Sequence, residues 1–140
     1  MQSLFNQLKE IDDLLDQIST ITSNQTTILI DSNTEESEKI TLIENMVTYK
    51  DELIDKLQQV EILFDKNYKE KREQVTDKKY ITQFKQCVSH ILIKKQEIQE
   101  LEQNNVRIMQ SQASKSREQI KIQKGAKEVV SAYKKQQIKD

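Results

Sequence analysis

The stretch SLFNQLKEIDDLLDQIST, residues 3–20, decides the fold class. Leu4, Leu8, Ile11, Leu15 and Ile18 follow one another by four, three, four and three positions. That spacing lays them along one face of an α-helix as a heptad seam, with polar residues on the other faces. Ser3 is placed to cap the helix. After Ile18 the pattern weakens: Thr20–Thr27 is rich in Ser, Thr and Asn, which compete with helical hydrogen bonding through their own side chains. The seam therefore predicts a first helix over residues 3–21 and leaves its continuation open.

The same periodicity recurs downstream. Asp31-Ser32-Asn33-Thr34 predicts a break, with Thr34 or Ser32 as the cap of a second helix and Glu35, Glu36 and Glu38 at its electropositive start. This helix is expected to run from about residue 35 to about 73. Ile40, Ile43, Val47, Ile54, Leu57, Phe64 and Tyr68 form one seam, and Met46, Leu53, Val60 and Phe64 a neighbouring one. Two adjacent seams make a face wide enough for two partner helices. Val75-Thr76-Asp77 predicts the next break, capped by Thr76 or Asp77. A third helix follows over 78–112, roughly 50 Å long. Its apolar face is Tyr80, Phe84, Cys87, Val88, Ile91, Ile98, Leu101, Ile108 and Met109. Lys94, Lys95, Asn105 and Gln112 interrupt that face, as register-fixing polar residues do.

Composition agrees with an all-α antiparallel bundle or coiled coil. There is no proline and one glycine, Gly125, so the turn residues of a sheet protein are missing. Apolar residues are 35% and charged residues 32%, which suits long helices burying narrow stripes. No convincing internal repeat is present. Residues 1–114 read as the helical core. Residues 115–140 read as a weakly held, basic, amphipathic segment, with Ile120, Ile122, Ala126, Val129, Val130 and Tyr133 as its apolar stripe and Lys134–Asp140 as a disordered end. The stripe fits a fourth bundle helix and a partner-binding helix equally well; a membrane-surface helix fits less well, for want of bulk.

Charge is polarised along the chain. Residues 1–65 carry 4 basic and 14 acidic side chains, net −10; residues 66–114 carry net +4, and residues 115–140 net +5. Pairing of an acidic first half with a basic second half explains this without nucleic acid. The scarcity of aromatics argues against base stacking.

Chemistry is thinly represented. Cys87 and His90, three apart on a helix, could reach one metal ion, but two ligands do not make a site. A lone cysteine cannot form an intrachain disulfide. Asp12, Asp13, Asp16, Asp51, Glu52 and Asp55 are spaced for solvated helix faces, and one glycine cannot build a phosphate loop. No enzyme activity, metal or other cofactor is expected. MQSLFNQLKEIDDLLDQ has neither the basic start nor the apolar run of a signal peptide, and no run is long enough to span a bilayer, so a cytoplasmic protein is expected.

Three segments in order, YKDELIDKLQQVEILFDKNYKEKRE (49–73), IKKQEIQELEQNN (93–105) and SREQIKIQKGAKEVVSAYKKQ (116–136), resemble bacterial flagellar export chaperones of the FlgN type, particularly the clostridial form. The resemblance covers nearly the whole chain and is carried by order and spacing. It implies antiparallel helices, cytoplasmic binding of hook–filament junction (hook-associated) proteins through their terminal helices before export, and delivery to the flagellar export apparatus. It places cargo contact on Ile120, Ile122, Ala126, Val129, Val130 and Tyr133. A FliT-type chaperone of the filament cap and a structural coiled-coil adaptor remain open alternatives, and exposed seams permit a homodimer.

Overall fold

The computed structural model describes residues 2–115. Three helices account for most of them: α1 (Gln2–Ile30), α2 (Glu36–Lys71), extended by a 3-10 turn at Arg72–Gln74, and α3 (Lys78–Lys115). The all-α bundle expected from the heptads is what forms. Its ends identify the directions. The Phe5 and Phe84 rings meet in a tilted pair with centroids 5.0 Å apart, and Asn67 and Lys71 donate to Ser3 Oγ, so the start of α1, the end of α2 and the start of α3 lie together. At the other end Lys39 Nζ and Gln112 Nε2 both donate to the Leu29 carbonyl. Thus α2 runs antiparallel to its neighbours, and α1 and α3 are parallel.

The central element is α1. Both other helices pack along it, while among the described residues no α2 Cα lies within 8 Å of an α3 Cα. The first seam explains this position. Leu4, Leu8, Ile11, Leu15 and Ile18 are all buried, and Leu14 widens the stripe so that one helix can serve two partners. They join Leu53, Ile54, Leu57, Val60, Phe84, Ile91 and Ile98 in the larger core. A smaller core of Leu29, Ile43, Val47 and Met109 closes the opposite end.

The continuation of α1, left open by its sequence, is settled, and the expected cap of α2 is corrected. The Ser/Thr-rich stretch does not end α1. Thr20, Thr22 and Thr27 each donate a hydroxyl hydrogen bond to the carbonyl four residues back, which satisfies them inside the helix. With Thr22 and Gln25 buried, the helix continues to Ile30. The cap of α2 is also different. Glu35 occupies the capping position without a side-chain bond, because Thr34 Oγ1 donates instead to Asp31 Oδ2 at 2.8 Å. Asp31 accepts the Asn33 N–H as well, and these two bonds hold its carboxyl below the usual range. At the second break Asp77 is the capping residue, accepting the Lys79 N–H at 2.9 Å.

Candidate functional site

Since α2 and α3 both lean on α1, a trough is left between them. On α2, Phe64 and Tyr68 are four apart and share a face; on α3, Phe84, Val88 and Leu92 do the same. Phe84 forms the floor, with ring centroids 6.1 Å from Phe64 and 5.8 Å from Tyr68. Lys85, Ser89, Ile93 and Gln96 complete a groove of 570 Å³. Its walls are apolar yet wet: Leu92 is 59% exposed and Ile93 53%. Among the described residues, Lys85 is the only charged one lining it. An open apolar trough of this kind suits a side-chain stripe on another helix.

Below the groove, between the two apolar cores, lies a buried polar layer. Lys50 of α2 is fully buried. Its Nζ donates to Gln25 Oε1 at 2.7 Å and Thr22 Oγ1 at 3.4 Å, and lies 3.3 Å from Glu102 Oε1. Asn105 Nδ2 donates to the Thr22 carbonyl at 3.1 Å, and its Oδ1 accepts from Thr26. Burial pushes the Lys50 ammonium down to about 8, with Glu102 opposing the shift. All three helices meet in this layer, which makes it a register lock.

The other polar interruptions of the third helix face also find partners. Lys94 Nζ sits 2.7 Å from both Asp12 Oδ1 and Asp16 Oδ1. Partial burial would lower its affinity for a proton, but the two carboxylates outweigh that and hold the ammonium above the usual lysine value. Lys95 reaches Glu61 Oε2 at 3.0 Å, and Gln112 reaches the Leu29 carbonyl at 2.7 Å. Carboxylate oxygens of Asp12, Asp13 and Asp16 lie within 4.8 Å of one another, but Lys94 already neutralises two of them.

Cys87 is half-buried against the larger core, and His90 is exposed, its Nε2 3.7 Å from Asp12 Oδ1. Ile120, Ile122, Ala126, Val129, Val130 and Tyr133 lie outside the described residues. Sequence reading missed Leu92 and Ile93, two apolar residues off the seam, and placed Val88 and Tyr68 on the packed faces. It also passed over Lys50 and Glu102, although each occupies a seam position between apolar residues. No family model matches the chain, and no curated protein and no solved structure matches it.

Proposed function

We propose that this chain is a cytoplasmic flagellar type III export chaperone that binds hook–filament junction proteins and keeps them unassembled before export. The observation that carries the binding part is the open apolar groove between α2 and α3. It is framed by α2 and α3 where both pack along α1. The cargo assignment and the delivery to the export apparatus rest on the resemblance of residues 49–73, 93–105 and 116–136 to FlgN-type chaperones. A protein that must polymerise only after export presents apolar helix seams beforehand, and a shallow groove covers such a seam with an affinity low enough for release. The stripe Ile120–Tyr133 is a second proposed contact for the same cargo.

The test is pull-down and titration of the full chain with individual junction proteins. Binding is expected to weaken at least about tenfold in Val88→Ser with Leu92→Ser, both at exposed positions and so compatible with folding. Truncation after Gln112 is expected to weaken it further. Failure of every junction protein to bind, with capture of the cap protein instead, would refute the cargo assignment.

A further inference from the structure

Resting on that docking reading, we infer that the α2–α3 groove selects an acidic amphipathic helix, a third-party segment carrying an aliphatic stripe flanked by Glu or Asp. The groove's upper end opens onto the turn between the two helices. Residues 66–85 there hold 7 basic and 3 acidic side chains, net +4. Lys66, Arg72, Lys78, Lys79 and Lys85 are all exposed. Lys85 lines the groove itself, whereas Lys69 is engaged by Asp65 and Lys71 by Ser3. The apolar wall from Phe84 to Leu92 gives a footprint of about two to three helical turns. An apolar stripe fills it, and acidic flanks meet the cations around it.

The same charges disfavour the other occupants. Residues 115–140 carry net +5, so this chain's own tail would bring like charge to a basic rim. A second copy docked by two-fold symmetry would set that rim against itself.

Two labelled 18-residue peptides test the inference against the full chain by fluorescence anisotropy. Both carry the same leucine stripe at helical spacing; one has Glu on its flanks and the other Lys. At low salt the Glu peptide is expected to bind at least about tenfold more tightly, and added salt should shrink the difference. Lys85→Glu should narrow the preference, and Val88→Ser with Leu92→Ser should abolish binding of the Glu peptide without changing the circular dichroism spectrum. Equal or tighter binding of the Lys peptide would overturn the charge selection while leaving groove docking intact, provided the double serine variant still abolishes it. Binding that ignores the double serine variant but is lost in Val129→Asp with Tyr133→Ala would move the surface to the tail and overturn the proposal. Sedimentation showing a dimer that Leu92→Ser dissociates would identify a second copy as the occupant, with the same consequence.

Discussion

The two ends of this bundle are held differently. Around Leu8, Leu15 and Ile91 the contacts are dry: aliphatic and aromatic side chains from three helices close on one another without a buried charge. Toward Leu29 and Met109 the apolar core is small and is separated from the larger one by Lys50, Glu102, Gln25, Asn105 and Thr22. Dry packing supplies stability but tolerates sliding, because one leucine layer resembles the next. The polar layer adds little net stability for a large desolvation cost, yet its Lys50–Gln25, Lys50–Glu102 and Asn105–Thr22 contacts form at one alignment of the helices only. One end holds the bundle together, and the other says which alignment it holds.

The sharpest way to break the contrast is Lys50→Ala. It removes the cation and leaves the Glu102 carboxylate buried, for a loss of about 3–5 kcal/mol in denaturant unfolding. A loss below about 1 kcal/mol would mean the layer admits water. On the dry side, Leu15→Ala removes a fully packed side chain and should cost about 2–5 kcal/mol, with the midpoint moving and the denaturant slope unchanged. If Leu15→Ala altered the register, seen as new cross-links between α1 and α3, the division of labour would be wrong.

The smallest effect is expected when the pair is replaced together. Lys50→Met with Glu102→Leu should be neutral or stabilising by about 1–4 kcal/mol, while loosening the alignment of the helices. The same variant isolates the titration of Lys50. Its proton is held less tightly in the folded chain, at about 8, than at the ordinary lysine value of 10.5. The destabilisation it causes is fully present below pH 8 and is relieved as pH rises toward 10.5. Wild-type stability minus that of the double variant should therefore increase across this window. A difference that stays flat or falls would contradict the burial of Lys50.

The helices were legible because their seams obey one rule over long runs, and the breaks at 31–34 and 75–77 carry ordinary turn and cap residues. The length of α1 was not legible. A threonine can leave a helix or bond back into it, and Asn105, 79 positions after Thr26, belongs to the environment that favours the second outcome. The groove was hidden for a related reason. Periodicity tells which residues share a face but not whether a neighbour covers it, so Val88 and Tyr68 read as packed. Lys50 was hidden because a buried lysine looks, in sequence, like any lysine on a helix.

The central place of α1 has a consequence for the order in which the chain can fold. Its bonds to α2 in the polar layer close loops of about 25 residues, whereas those to α3 close loops of about 83. Loop entropy grows slowly, about 0.6 kcal/mol per doubling, so the longer closure is only about 1 kcal/mol worse. Synthesis imposes the larger asymmetry. The α1–α2 hairpin is complete once Lys71 has emerged, but the opposite flank of α1 waits for α3, which ends at Lys115, 44 residues later. During that interval the nascent hairpin shows Phe5, which later packs on Phe84, beside an empty berth, at ribosomal speeds of about 5–20 residues per second a wait of a few seconds. A growing chain of this kind spends its first moments with the same sort of unpaired seam that its finished form is proposed to cover in others.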